Sequence, residues 1–250
     1  LTVPLKLVPR ISLAAIGLFL ATFTLAPLLI IVSLFTKGGP AYTIMHIWGR
    51  WVSKFMGLTF SLHGKEKILP GTSYIITPNH QSHTDILALI TMLPVRFRWV
   101  IKKELLKIPL FGWALGRTGA ISLDRSNREE SVLKLREGTS TLQGGWSVLI
   151  YPEGTRTSDG LIHDFKKGPF MMAVQSGIPI LPVTCNGAFK VLPKKTISLR
   201  SGHITVTIGN PIPTAGLTED DVPMLMERTR QEMLANFDPD YDPFKGRNGG

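Results

Sequence analysis

Cysteine is almost missing. Cys185 is the single thiol in 250 residues, so an internal disulfide and a thiolate cluster for zinc are both excluded. What remains for it is the role of a small core residue beside Val183. Charge is sparse as well: Asp, Glu, Lys and Arg make up 18% of the chain, and mean hydropathy is +0.15. That is too oily for a protein whose main partner is nucleic acid. No internal repeat or low-complexity tract is visible, and no G-x-S-x-G elbow occurs, which counts against a serine hydrolase. Acidic side chains are outnumbered, 18 Asp plus Glu against 28 Lys plus Arg, for a formal charge of +10. The excess calls for a polyanionic partner. An anionic membrane surface or a phosphorylated lipid satisfies both the oiliness and the charge.

The uncharged run 11–36 holds 26 residues, enough to cross a hydrocarbon layer of about 30 Å at 1.5 Å per residue. Pro27 falls inside it, so a kink is expected. A secretory signal peptide fits less well, because the run is too long and lacks a small-x-small cleavage site. A buried globular helix fits less well still, since no amphipathic stripe is visible. Segment 41–58 differs: Ile44, Ile47, Trp48, Trp51, Val52, Phe55 and Met56 keep helical spacing, while Thr43, His46, Arg50, Ser53 and Lys54 share the other side. It reads either as an interfacial helix or as one packed on the following domain. Together the two segments predict a helical hairpin that embeds in or spans a bilayer. Basic residues flank the apolar run on both sides, so charge asymmetry does not decide between the two.

From residue 59 short apolar runs alternate with Gly and Pro. Strands are expected at 59–63, 73–77, 97–101, 120–123, 147–151, 178–183, 197–199 and 204–208. Helices are expected at 82–93, 103–115, 129–143 and 167–176, with a late amphipathic helix at 218–237 that has a Thr cap and an acidic first turn. Alternation of this kind predicts an α/β domain with a mostly parallel central sheet flanked by helices. The domain plan is thus 1–58 for membrane-anchoring helices, 59–237 for the α/β domain, and 238–250 for a polar, frayed tail.

Four stretches carry chemistry. NHQSHTD, residues 79–85, joins an expected strand to an expected helix, and its His80 and Asp85 are the minimal pair for a general base and the group that orients it. Five positions apart on a continuous helix they would diverge by about 140°, so His80 must lie in the loop and Asp85 in the first helical turn. Pro78 ends the strand, and Ser82 or Thr84 can cap the helix. Segment 101–125 brings Lys102, Lys103, Lys107, Arg117 and Arg125 into one cationic stretch. Lys103 and Arg125 fall near strand ends, where ligands collect in open α/β sheets. YPEGTR, residues 151–156, turns at Pro152 and Gly154 and projects Glu153 and Arg156, which form either a structural ion pair or a phosphate fork with its partner. GIPILPV, residues 177–183, has two prolines, which suit a strand end or edge and could shape a groove wall.

In this order and spacing the four stretches resemble the motifs of the glycerolipid acyltransferases, specifically the 1-acylglycerol-3-phosphate (lysophosphatidic acid) acyltransferases, over roughly 58–211. The resemblance implies transfer of a fatty acyl group from a thioester donor, acyl-CoA or acyl carrier protein, to the sn-2 hydroxyl of 1-acylglycerol 3-phosphate, with no further cofactor and no metal. Acylation of glycerol 3-phosphate at sn-1, or of another lysolipid, would use the same parts, and a membrane-anchored lipid-binding protein without turnover is the non-enzymatic alternative. By the same resemblance His80 and Asp85 are catalytic. Glu153, Gly154, Thr155 and Arg156, with Lys103 and Arg125, hold the glycerol phosphate, and Ile178, Pro179 and Pro182 border the acyl donor. The implied location is a bacterial inner membrane, with the site on the cytoplasmic side. Two features depart from the family pattern: Tyr151 stands where Phe is common, and His83 is an additional imidazole. His80, His83 and Asp85 are all metal-ligand types, but a further strong ligand at helical spacing is lacking nearby.

Overall fold

The computed structural model describes residues 4–36, 38–124, 134, 137, 138, 142 and 145–245. Its centre is a seven-stranded sheet, built from β1 (Leu58–His63), β2 (Ile75–Pro78), β3 (Arg96–Lys102), β4 (Ile121–Leu123), β5 (Trp146–Leu149), β6 (Ile180–Asn186) and β7 (Gly202–Ile208). The spatial order is β1-β7-β6-β2-β5-β3-β4. Among the described residues five neighbouring strand pairs are parallel, and β6 and β7 run antiparallel. Because side chains alternate along a strand, neighbours such as Ile75 and Ile76, or Val148 and Leu149, enter different cores. Ile76, Leu149 and Leu181 join the cluster that includes the N-terminal helices, whereas Ile75, Val148 and Ile180 join Phe170, Leu225 and Met233 on the other side.

Seven helices matter here: α1 (Val8–Phe35), α2 (Gly39–Met56), α3 (Thr84–Met92), α4 (Phe111–Arg117), α5 (Gly168–Ser176), α6 (Ala188–Val191) and α7 (Val222–Leu234). By length and composition α1 could cross a membrane, and it runs without a break through Pro27. Phe19, Phe23, Ile31 and Leu34 are more than half exposed along it. Helix α2 packs against α1, with Trp48 Nε1 donating to Thr22 Oγ1 at 3.1 Å. It also packs into the α/β core: Tyr42 donates to the Val95 carbonyl, and a Cβ placed on Gly49 would lie 2.7 Å from Ile90. Trp48 is therefore partly covered, while Trp51 stays exposed.

Several sequence expectations are corrected. Segment 103–115 is not one helix: a single 3-10 turn (Lys103–Lys107) stops before Pro109, and α4 starts anew after Leu110 at φ 65°. Proline forces the residue before it out of helical conformation, which explains the break. Residues 197–199 form no strand; Leu199 is buried but Ile197 is half exposed, and no sheet edge takes them up. Pro182 sits inside central strand β6, not at a strand end. The antiparallel ladder with β7 begins only at Val183, so the missing N–H falls at its margin. Residues 238–244, expected to fray, lie along β7 instead, with His203 N–H donating to Pro243 O, Tyr241 bonded to Thr205 and Phe244 under Arg200. Most of 129–143, and Arg125 with it, lie outside the described residues. The late helix opens with a capping box, Thr218 with Asp221, before α7.

Candidate active site

The site begins where β2 ends. Asn79, just past Pro78, uses its side-chain amide as if it were another strand residue: Nδ2 donates to Cys185 O at 3.0 Å and Oδ1 accepts from Cys185 N–H at 2.7 Å. That pins the loop to the end of β6. His80 follows, then the chain turns into α3, which places Asp85 in the first turn. Ser82 Oγ accepts from the Thr84 N–H at 3.2 Å, while its own hydroxyl donates to Leu192 O.

Asp85 is fully buried, and both its oxygens are hydrogen-bonded. Oδ2 accepts from the Gln81 and Ser82 N–H groups, both at 2.8 Å, and from His80 Nδ1 at 3.2 Å. Oδ1 accepts from the Tyr151 hydroxyl at 2.9 Å. With Nδ1 turned to the carboxylate, Nε2 is the ring atom left to exchange a proton, and the His80 side chain is 14% exposed. The imidazole lies flat on the Tyr151 ring, with centroids 3.6 Å apart and planes at 14°. The Tyr151 phenol is pushed well above its usual range, first by burial and then by the Asp85 charge, so it remains a proton donor to that carboxylate.

The YPEGTR loop, which leaves β5, grips His80 from both sides of its peptide unit. Glu153 Oε1 accepts from the His80 N–H at 2.8 Å, and Thr157 N–H donates to the His80 carbonyl at 2.8 Å. Glu153 Oε2 reaches the His163 N–H at 3.2 Å. Burial raises the Glu153 carboxyl above its ordinary range, against the two N–H groups that draw it down. Glu153 is thus buried under the loop, while Thr155 is exposed and Arg156 half-buried. Gly154 adopts φ 72°, a conformation that favours glycine. Lys194, which the sequence motifs do not include, donates to the Arg156 carbonyl at 2.5 Å. His83 lies near enough to Arg156 that burial and this cation hold its imidazole below the usual range.

Lys103 follows β3 at the same sheet edge and pairs with Asp124 at 2.7 Å. Ile178 and Pro179 do not join the group. Strand β6 runs parallel to β2 with Ile75 opposite Ile180, so Pro179 and the Cys185 level of His80 are separated by about 20 Å at 3.3 Å per residue. Pro182 lies between. Among the described residues, no three His, Cys, Asp or Glu side chains gather as a metal site. Asn79, Tyr151 and Lys194 bond to the groups around His80 and Arg156 although the motif reading gave them no part; only Asn79, directly after a strand-ending proline, carries a local signal for its contact.

A family model described as Acyltransferase matches residues 59–186. Human 1-acyl-sn-glycerol-3-phosphate acyltransferase beta is 32% identical over 90% of this chain and 82% of its own. The human alpha enzyme is 35% identical over 72% of this chain, a match that spans 64% of that relative's length. The crystal structure of the 1-acyl-sn-glycerophosphate (LPA) acyltransferase PlsC from Thermotoga maritima has the same fold, with a TM-score of 0.74 over 92% of this chain and 98% of its own, at 23% identity. The chain belongs to the acyltransferase family that includes the 1-acyl-sn-glycerol-3-phosphate acyltransferases.

Proposed function

We propose that this protein moves a fatty acyl group from a thioester to the sn-2 hydroxyl of 1-acylglycerol 3-phosphate, giving phosphatidic acid. The observation that carries this reading is the His80–Asp85 contact at 3.2 Å, with Nε2 left at the surface of the site. An alcohol does not ionise at neutral pH, so its attack on a thioester carbonyl needs a base as the bond forms, a contribution of about 10²- to 10⁴-fold. His80 Nε2 takes the hydroxyl proton while the oxygen adds to the carbonyl carbon. Asp85 keeps the Nδ1–H tautomer and stabilises the imidazolium. Collapse of the tetrahedral adduct breaks the C–S bond, and the departing thiolate receives the proton from Nε2. Ester and free thiol result, with no acyl-enzyme required.

Arg156, beside Thr155 and near Lys194, is assigned to the acceptor phosphate, setting the hydroxyl close to His80. Lys103, at the same sheet edge and paired with Asp124, is the second cation assigned to that phosphate. Helix α1, with its exposed apolar side chains, would hold the protein at the bilayer where a lysolipid resides. The thioester, whether on coenzyme A or a carrier protein, is too polar to cross a membrane, which puts the site on the cytoplasmic face.

The decisive experiment is product analysis by mass spectrometry with purified protein, lysophosphatidic acid, competing acceptors and both donor types. Phosphatidic acid should dominate, and His80→Ala should lower its formation at least about 10²-fold; an alanine variant within tenfold of wild type would sink the mechanism.

A further inference from the structure

A second cationic recess lies apart from His80. A cleft of about 510 Å³ opens between the start of α1, the end of α2 and the start of β1, and Arg10, Arg50 and Lys54 line it together with Leu58, Phe60 and Met92. No carboxylate is among the described residues that line it. The chain around it explains this: residues 1–65 contain no Asp or Glu, nor do residues 165–218, which supply Ser201 on the far wall. Arg50 and Lys54 are one helical turn apart, so they present charge to the same side. Arg10 donates to Ser201 Oγ and brings a third cation from α1. None of these residues belongs to the loops that hold His80, Glu153 or Arg156.

The depth of the cleft indicates which anion it takes. Arg10 stands one turn before Leu13, from which exposed apolar side chains (Leu13, Ile16 and Phe19) continue along α1, with Val8 exposed on its other side in the chain. On α2, Ile47 and Trp51 are exposed on one stripe with Lys54, which corrects the sequence pattern's placing of Lys54 on the other side of the helix. Cations at the end of an apolar helix surface, beside an exposed tryptophan, mark the layer where lipid phosphates meet acyl chains. The apolar side chains in the lining suit a glycerol backbone and not a hydrated free ion.

We propose that this cleft binds the phosphodiester headgroup of an anionic membrane phospholipid that is neither acceptor nor product. The inference rests on the reading of α1 as bilayer-embedded, and its readout is binding, so it stands separately from acyl transfer. The test is native mass spectrometry of the full chain in a neutral detergent, titrated with phosphatidylglycerol or with phosphatidylcholine. One phosphatidylglycerol should be retained, at least about tenfold more tightly than phosphatidylcholine, the scale expected for two or three cations near anionic lipid. R50Q/K54Q should abolish that preference, whereas K65Q/R228Q, an equal charge change outside the cleft, should keep it. Equal retention by R50Q/K54Q and wild type, or equal loss in both double variants, overturns the site. Displacement by millimolar inorganic phosphate would identify a free-anion site and overturn the lipid assignment; retention of the lipid supports it.

Discussion

Tyr151 does two jobs for the proposed base. Its ring supports the imidazole and its hydroxyl spreads the charge on Asp85. Tyr151→Phe keeps the first and removes the second, leaving the buried Asp85 Oδ1 without its donor. kcat should therefore fall about tenfold, the loss of one hydrogen bond to a charged group, with acceptor KM unchanged. A Phe variant with wild-type kcat would remove Tyr151 from the mechanism. Glu153 makes a prediction of opposite kind, about stability. Its folded carboxyl titrates above the ordinary 4.5 because of burial, so the folded state holds that proton more tightly than the unfolded chain does. Its contribution is then fully present below the unfolded value and is lost as pH rises through the raised one. The melting temperature of wild type relative to Glu153→Gln should thus fall as pH rises above the ordinary 4.5; a constant difference would contradict the assignment.

At the scale of elements, the strand–loop–helix setting of His80 and Asp85 is legible in the sequence. The apolar period changes there and Pro78 marks the boundary. Contacts that cross the chain are not: Asn79 meets Cys185 106 positions away and Tyr151 meets Asp85 66 positions away, and no local pattern encodes either. The expected helix at 103–115 carries its own contradiction in Pro109, whereas Ile197–Ser198–Leu199, with its alternating apolar side chains, looks like a strand until the sheet shows no edge for it. The split expected at residue 58 is also only partly visible in packing, because Tyr42, Met45 and Val52 of α2 share a core with Ile76, Leu89 and Phe97. Gly49 measures that union. Valine there must displace Ile90, an overpacking cost of about 1–3 kcal/mol, or a drop of roughly 2–10 °C in melting temperature. An unchanged melting point would mean that α2 and α3 are not held in such close contact.

For the molecule as a whole, the exposed side of α1 sets the environment it needs. F19S/F23S/L34S removes three large apolar side chains that are each more than half exposed, and each contributes about 1.5–3 kcal/mol when buried in hydrocarbon. Flotation with neutral vesicles should show the full-length variant shifted from the lipid to the soluble fraction; unchanged flotation would place membrane attachment elsewhere. The buried thiol has a practical consequence for the same question. Cys185 is sealed beneath Asn79, and burial together with the Asp85 charge raises it far above the range where thiols react. The native protein therefore behaves towards maleimides as though it were cysteine-free, and a cysteine walked residue by residue along α1 would be its sole addressable handle, able to report immersion depth and leaflet without altering one native position in the catalytic half.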